Sequence, residues 1–236
     1  MIVDPIRTRI FREGENLLGF ITEQVTKLSE QSVLVVTSKI AALAEGRTAA
    51  VKSEAAKARL IRAESELAIL TKYVWLTVKD GMVMPSAGID ESNADGKLIL
   101  LPKDSFETAE LLRAKLRHHY QIKKLGVILT DSRTIPLRAG VSGVALGYAG
   151  FSGVRDYRNT PDIFGRKFHF SRTDVADSLA TAAVLVMGEG AEQQPLAMIT
   201  GAPIEFRDKI DREELRIDIQ DDMYRPLFAR LPKQSR

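Results

Sequence analysis

The sequence predicts a mixed α/β protein, in which short buried strands alternate with amphipathic helices. Residues 33–36 and 127–129 are apolar runs rich in β-branched residues, which is typical of strands that are buried on both faces of a sheet. Residues 15–28 instead repeat their large apolar side chains at intervals of three and four, the spacing of a helix with one buried face. Strands of the first kind together with helices of the second kind indicate the α/β fold class.

The composition of the 236 residues is that of an ordinary globular protein, long enough for one large domain or two small ones. A formal net charge of +3 is too small to indicate a nucleic-acid partner. The absence of cysteine excludes disulfides, thiolate nucleophiles and cysteine-bound zinc, and it is compatible with a reducing compartment. No signal-peptide core and no apolar run of ~20 residues is found. We therefore expect a soluble cytoplasmic protein with no nucleic-acid or membrane partner.

The first predicted strand, residues 32–37, ends in a group of polar side chains. Thr37 and Ser38 carry hydroxyls and Lys39 carries a cation, which together could hold phosphate oxygens. The same residues could equally cap the helix that follows them.

Residues 50–73 are predicted to form one long helix, because they are rich in alanine and in charged residues that suit a solvated face. Two short strands follow at residues 74–78 and 82–84. The pair Asp80-Gly81 between them favours a hairpin with a type I′ turn, in which both central residues need a positive φ.

The loop at residues 85–96 is dense in glycine, aspartate, serine and asparagine, and it leads into an apolar strand at residues 98–101. Its oxygens between Asp90 and Asn93 could ligate a hard cation. The spacing is not that of an EF-hand, and a plain connector has the same composition.

A further helix is predicted from Asp104, which is placed with Glu107 as a capping box, to about Tyr120. His118 and His119 at its end complement the helix dipole. Adjacent residues point to different sides of a helix, so these histidines are poor joint metal ligands.

Residues 138–150 are rich in glycine but do not contain the Gly-x-Gly-x-x-Gly pattern of dinucleotide-binding sites. Glycines inside a strand indicate bends or the close approach of another backbone. Residues 155–166 are polar and irregular, and Asp162, Gly165 and Arg166 are candidate site residues there without independent support.

The last third of the chain is predicted to contain a buried helix at residues 173–187, which glycine at position 188 ends. Residues 196–200 are predicted to form the final strand. The charged tail from residue 207 to 236 is expected to be helical and peripheral.

The apolar strand at residues 127–129 is followed at once by Thr130, Asp131 and Ser132, where we expect the backbone to leave the sheet. Ligands of α/β proteins gather outside the carboxyl ends of strands, so these oxygens are candidates for a metal or phosphate site. Asp and Ser also commonly begin turns, and the segment alone does not separate the two interpretations.

Oxygen ligands are the chemistry that remains after common motifs are excluded. The chain has no Walker A sequence, no His-Glu-x-x-His and no Gly-x-Ser-x-Gly, and only three histidines. Hard oxygen ligands select magnesium or manganese, and such ions usually hold phosphates as well. The residues alone thus indicate an enzyme that uses Mg²⁺ or Mn²⁺ and a phosphate compound. Its candidate oxygens belong to Asp90, Asn93, Asp131, Ser132 and Glu189.

Several short segments become recognisable as an ordered set. They are Ala44-Glu45-Gly46-Arg47, Gly88-Ile89-Asp90-Glu91-Ser92-Asn93, residues 126–132 with Arg138 and Gly140, Asp162 with Gly165-Arg166, and Met187-Gly188-Glu189-Gly190. Through this set the chain resembles the coenzyme F420-0:γ-glutamyl ligase family over about residues 5–205. The resemblance implies one mixed α/β ligase unit over residues 1–236, with mixed sheets, flanking helices and two interleaved subdomains, which forms an intertwined homodimer.

The resemblance also implies a reaction and a site. The family joins L-glutamate to the carboxylate of an anionic acceptor at the expense of GTP, through an acyl phosphate. Asp90 and Asp131 would ligate one Mg²⁺ or Mn²⁺, and Ser132 and Glu189 a second, with K⁺ as an additional candidate ion. No catalytic base is identified. The implied nucleotide contacts are Thr8, Arg9, Ile10, Phe11, Ser38, Lys39, Asn93, Met187, Gly188, Glu189 and Gly190, in a loop that continues to Gln194.

Three departures from the family pattern bear on the substrate. Leu43 stands where the family often has lysine, so one phosphate contact is either missing or supplied by Lys39. Ser132 replaces a common threonine and keeps the hydroxyl, and Thr8-Arg9 replaces a more apolar entry. The resemblance implies F420-0 or a similar molecule as the acceptor. The alternatives are a folate-type acceptor and a non-catalytic GTP-binding protein of the same fold.

Overall fold

The computed structural model describes residues 1–228 as a mixed α/β protein, which confirms the predicted fold class. The helices are α1 (Leu17–Gln24), α2 (Ser38–Ala44), α3 (Glu54–Ala63), α4 (Ser105–Tyr120), α5 (Val175–Met187) and α6 (Arg225–Phe228). The strands are β1 (Ile2–Ile6), β2 (Ser32–Thr37), β3 (Thr48–Ala49), β4 (Leu67–Leu70), β5 (Trp75–Lys79), β6 (Met82–Pro85), β7 (Leu98–Ile99), β8 (Leu125–Thr134), β9 (Val141–Ala149), β10 (Val154–Asp156), β11 (Arg172–Asp174) and β12 (Leu196–Thr200).

A five-stranded sheet in the order β1-β12-β2-β8-β9 forms the centre of the molecule. Strands β2 and β8 run parallel and the other pairs run antiparallel. Leu34 and Leu129 face α1, α2 and α4, whereas Val35 and Ile128 face α5. The apolar runs are therefore buried on both faces, as the sequence predicted, because helices cover both sides of the sheet.

Strand β8 does not end at Thr130, and this prediction is wrong. The strand continues to Thr134, and Asp131 lies in it opposite Val144 of β9. The register shifts after Leu129, because β9 contributes one extra residue there, Leu146. Pairing with β9 continues beyond this bulge to Thr134, so Asp131 lies in a strand rather than a turn.

Glycines in β9 allow close contact with two helices, which confirms one of the two predicted reasons for them. A Cβ at Gly143 would lie 2.4 Å from the carbonyl oxygen of Ala180 in α5. A Cβ at Gly147 would lie 2.4 Å from the carbonyl carbon of Ser105 in α4. Both helices thus pack on the sheet at a distance that only glycine permits.

The long helix predicted at residues 50–73 is wrong beyond Ala63. The Ser65 hydroxyl donates to the carbonyl of Ile61, and the N–H of Glu66 donates to Val78 in β5 at 2.8 Å. That bond draws the chain into a three-stranded sheet, β4-β5-β6, which local composition does not reveal. The hairpin at Asp80-Gly81 is confirmed, with φ values of 51° and 73°.

The remaining elements differ from prediction mainly at their ends. Helix α1 is shorter than residues 15–28, and β11 occupies the start of the predicted helix at 173–187. Strand β1 was not predicted, because Asp4 and Pro5 interrupt its apolar pattern, yet it pairs with β12 at the sheet edge. The Asp104 cap is confirmed, since its Oδ1 accepts the N–H of Glu107 at 2.8 Å.

The charged tail is helical only at α6 within the described residues, so its helical prediction is wrong for residues 207–224. Glu214 accepts hydrogen bonds from the Tyr148 hydroxyl at 2.6 Å and from the N–H of Gly153 at 2.7 Å. These bonds attach the start of the tail to the central sheet. Residues 229–236 lie outside the described part of the chain.

No helix in residues 1–228 combines the length and the apolar character that crossing a bilayer requires.

Candidate functional site

The loop at residues 188–195, between α5 and β12, is where the segments singled out from the sequence meet. The N–H of Thr8 donates to the carbonyl of Gln193 at 2.9 Å, and the N–H of Thr37 donates to that of Pro195 at 2.9 Å. These bonds bring the segment 8–11 and the start of α2 to the same loop.

Two side chains from other segments also bond to the loop at residues 188–195. Asn93 Nδ2 donates to the carbonyl of Gly190 at 3.2 Å, and Ser132 Oγ donates to Glu189 Oε2 at 3.0 Å. Asn93 and Ser132 come from separate segments about forty residues apart, yet both reach adjacent residues of the loop. Ser132 and Glu189, which the resemblance assigns to one ion, are therefore joined by a direct hydrogen bond.

Asp131 lies within an acidic environment. Burial raises the pKa of Asp131 to about 7, and the nearby carboxylates of Asp90 and Glu189 act in the same direction. The Ser132 N–H, which donates to Asp131 Oδ1 at 2.9 Å, and the charge of Lys39 act in the opposite direction. The charges of Asp90 and Glu189, from two other segments, thus act on Asp131, and a perturbed carboxyl of this kind is a candidate for a functional site.

Asp90 is held by Lys39 and Ser92. Lys39 Nζ lies 2.7 Å from Asp90 Oδ2 and 2.8 Å from the carbonyl of Ser92. The N–H of Ser92 donates to Asp90 Oδ1 at 2.7 Å. Burial opposes ionisation of Asp90, but these hydrogen bonds outweigh it and hold the pKa of the carboxyl below its ordinary value. Asp90 is therefore a carboxylate at neutral pH.

Within residues 1–228, no three His, Cys, Asp or Glu side chains are grouped so that they could hold a metal ion by themselves. The predicted arrangement is compatible with this, because it assigns only two protein residues to each ion. Magnesium commonly takes one or two carboxylates from the protein and the remaining oxygens from phosphates and water. The donor set of carboxylates and one hydroxyl suits Mg²⁺ or Mn²⁺.

A strained turn leads into Asp90. Ser86, Ala87 and Gly88 are consecutive residues in the left-handed region, with φ values of 50°, 57° and 70°. This conformation costs roughly 1–2 kcal/mol for each residue other than glycine. Backbone strain of this kind persists only where the surroundings impose it, and it is concentrated at functional sites.

The segment Thr8–Phe11 reaches the site through its backbone more than through its side chains. Arg9 is bound by Glu15 and Glu23 and lies over the Phe20 ring, so its guanidinium is already engaged. Phe11 is a core residue that packs edge-to-face on Phe20, whereas the Ile10 side chain is exposed. Thr8 is buried beside the loop.

The remaining predicted contacts occupy the ends of two helices. Ser38 is buried in the first turn of α2, next to Lys39. Met187 is buried at the end of α5, and Gly188 ends that helix with a φ of 82°. Leu43 packs in the apolar core one helical turn after Lys39.

Sequence reasoning missed Thr77, whose buried hydroxyl bonds to the strained turn before Asp90. The only signal in the sequence is the alternation of inward and outward side chains along the strand at 74–78, which would place Thr77 on the inward side. By contrast, Asp162 and Arg166 bond to each other within their own loop, as does Gly165, and no bond joins them to the site among the described residues.

A cavity of about 750 Å³ lies elsewhere, at the beginning of α5. Its wall includes Val175 and the guanidinium groups of Arg155, Arg158, Arg172 and Arg207. Glu189 follows the end of the same 13-residue helix, which is about 20 Å long at 1.5 Å per residue. The cavity is therefore separate from the convergence of carboxylates.

Comparison with known proteins identifies the family of this chain. The sequence profile of the F420-0:gamma-glutamyl ligase family matches residues 5–201. The chain is 33% identical over 216 residues to a coenzyme F420:L-glutamate ligase of Methanopyrus kandleri, covering 84% of each chain. It is 32% identical over 239 residues to the Archaeoglobus fulgidus protein of the same name, covering 94% of each. With the Methanococcus maripaludis C6 protein, also of that name, it shares 30% identity over 214 residues, which is 89% of this chain and 86% of the relative. The chain therefore belongs to the F420-0:γ-glutamyl ligase family.

Proposed function

We propose that this chain is a GTP- and divalent-metal-dependent ligase that joins L-glutamate to the carboxylate of F420-0 or a similar anionic acceptor. The observation that carries the proposal is the convergence of Asp90, Asp131 and the Ser132–Glu189 pair at the loop 188–195. The names of the curated relatives support the same amide-forming reaction.

In this proposal Asp90 and Asp131 hold one Mg²⁺ or Mn²⁺, and Ser132 and Glu189 hold the other. Such ions, when bound, neutralise charge on the phosphates of the nucleotide. Asn93 lies within hydrogen-bond distance of the loop and is placed to contact the same nucleotide. Lys39 supplies a positive charge beside Asp90, where it can also meet a phosphate oxygen.

The reaction has two steps. An oxygen of the acceptor carboxylate bonds to the γ-phosphorus of GTP while the bond from that phosphorus to the β,γ-bridging oxygen breaks, and GDP leaves. The amine nitrogen of L-glutamate then bonds to the acyl carbon, and inorganic phosphate leaves with the electron pair of the broken C–O bond. The amine loses a proton in this step, and the products are an amide, GDP and phosphate. The chain's contribution is to orient GTP, and then the acyl phosphate of the acceptor, beside Asp131 and Glu189.

The test is an incubation of the purified chain with GTP, Mn²⁺ or Mg²⁺, L-glutamate and either F420-0 or a folate. We expect F420-0 to become one glutamyl residue heavier by mass spectrometry, with one GDP and one phosphate released per product. Growth of the folate instead would change the acceptor but keep the reaction. GTP binding without any product would support the non-catalytic alternative, and no metal-dependent GTP binding would reject the proposal.

We further propose that two copies of the chain form a homodimer. Five large apolar side chains on segments around β9 and α5 are more than four-fifths exposed, and they support an apolar contact with a second copy. They are Leu137, Ile163, Phe164, Phe170 and Leu185.

Light scattering coupled to size-exclusion chromatography should give a mass twice the 26.1 kDa of the chain. Leu185→Glu places a charge at one of these exposed apolar positions and should shift the protein toward the monomer. Leu111→Glu, on the exposed side of α4, is the matched control and should leave the mass unchanged. A wild-type mass equal to one chain would contradict the proposal.

A further inference from the structure

Thr77 is a buried residue of β5 whose hydroxyl bonds to both sides of the strained turn. Its Oγ1 donates to the carbonyl of Met84, the residue two positions before the turn, at 2.6 Å. The same Oγ1 accepts the N–H of Ala87, the central residue of the turn, at 2.8 Å. The Thr77 side chain is fully excluded from solvent. One hydroxyl therefore satisfies two backbone groups that span the entry to the turn.

The backbone is equally fixed after the turn, up to Asp90. The N–H of Ile89 donates to the carbonyl of Ser86 at 3.0 Å, which closes the turn. The N–H of Asp90 then donates to the carbonyl of Ile99 at 3.0 Å, and the backbone carbonyl of Asp90 accepts the N–H of Ile99 at 2.9 Å. Only Gly88 and Ile89 separate Ala87 from Asp90, so the conformation of the turn bears directly on the position of Asp90.

We propose that Thr77 is a positioning residue for Asp90. Its hydroxyl locks three consecutive left-handed residues that would otherwise relax, and this fixes the direction in which the Asp90 carboxylate leaves the backbone. The inference deepens the proposed function, on which it rests, because it assigns a hydroxyl outside the metal and nucleotide contacts to the precision of that site. Thr77 contacts no substrate in this view and acts through Asp90.

The hydroxyl and the methyl group of Thr77 can be tested separately. Thr77→Val keeps the volume and the β-branch but leaves the buried N–H of Ala87 without its acceptor. Thr77→Ser keeps the hydroxyl and removes only a methyl group. Thr71→Val is a control in the β4–β5 turn, where the exposed Thr71 hydroxyl bonds to the carbonyl of Val74 and not to the turn before Asp90.

The measurements are Mn²⁺ affinity by calorimetry, steady-state kinetics, and hydrogen exchange of peptides that cover residues 85–93. For Thr77→Val we expect Mn²⁺ affinity and kcat to fall at least about tenfold, a KM for glutamate within about twofold, and faster exchange in residues 85–93 only. Thr77→Ser and Thr71→Val should stay within about threefold of the wild type in every measurement.

A folded Thr77→Val protein with wild-type Mn²⁺ affinity and wild-type exchange at residues 85–93 would overturn the inference. Equal losses in Thr77→Val and Thr77→Ser would also overturn it, because packing rather than the hydroxyl would then be responsible. If the wild type itself bound no Mn²⁺, the proposed metal site would fail. The exchange comparison would still decide whether the Thr77 hydroxyl orders the segment around Asp90.

Discussion

Replacing Asp131 with asparagine is expected to lower the rate of glutamyl transfer at least about 1000-fold. Asparagine keeps the volume of the side chain and an oxygen that can accept the N–H of Ser132, so the local backbone should stay in place. It removes the negative charge that the proposed ion requires. A 1000-fold loss corresponds to about 4 kcal/mol of transition-state stabilisation. The measurement is the initial rate of product formation with saturating GTP, glutamate and F420-0.

The same variant, although less active, is expected to be more stable than the wild type when no metal is bound. Burial raises the pKa of Asp131 from 3.8 to about 7, so the folded state favours the protonated carboxyl. The stability that this group contributes is fully present below about pH 4 and is lost as the pH rises through about 7. At pH 8 we therefore expect the free energy of unfolding in urea to be higher for Asp131→Asn than for the wild type, by about 4 kcal/mol. The difference should disappear near pH 4.

Asp95→Asn is the matched control for both measurements, since Asp95 is exposed in the loop before β7. It should leave the rate and the pH dependence of stability unchanged. An Asp131→Asn enzyme that kept a tenth or more of the wild-type rate would show that Asp131 does not hold an ion that the reaction needs.

Replacing Gly143 with alanine is expected to destabilise the fold by about 2–3 kcal/mol, the cost of forcing extra volume into a packed interface. The added Cβ would lie 2.4 Å from the carbonyl oxygen of Ala180 and 2.8 Å from the Cα of Thr181. Both are backbone atoms of α5, so the whole helix must move. The measurement is the free energy of unfolding in urea.

Gly19→Ala is the matched control, because a Cβ at this position in α1 would meet only Asn16 side-chain atoms at 3.5 Å or more. Alanine is preferred to glycine inside a helix, so this variant should be more stable by roughly 0.5–1 kcal/mol. A Gly143→Ala protein as stable as the wild type would contradict the close packing of α5 on β9. Because α5 leads into Glu189, we also expect this variant to lose activity.

The sequence predicted the elements that depend on local patterns. The core strands were predicted from β-branched apolar runs, and the Asp80-Gly81 turn from the φ values that it requires. Elements defined by distant partners were not predicted. The β4 strand forms because Glu66 and the residues after it pair with β5, while the leucine and alanine residues of β4 are equally common in helices.

The site residues likewise divide into those that local motifs indicate and those that only a distant segment places. Ordered motifs pointed to Asp90, Asp131 and Glu189, but no local pattern showed that Lys39 would lie against Asp90. Thr77 is the clearest omission, since its role depends on a turn ten residues later in the chain. Residues that act through another segment leave no periodic or compositional signal, so only the three-dimensional arrangement identifies them.

The extra residue in β9, Leu146, also determines how the chain can vary. Side chains alternate between the two faces of a strand, so removing one residue there would turn residues 141–145 over. Gly143 would then leave the surface under α5, and the larger Val144 would take its place. We therefore expect single-residue insertions and deletions to be rejected along this arm of the hairpin and tolerated at its tip, beyond Thr134. The pairing of Asp131 with Val144 is thus fixed in this chain by α5, the helix that packs against Gly143 of β9.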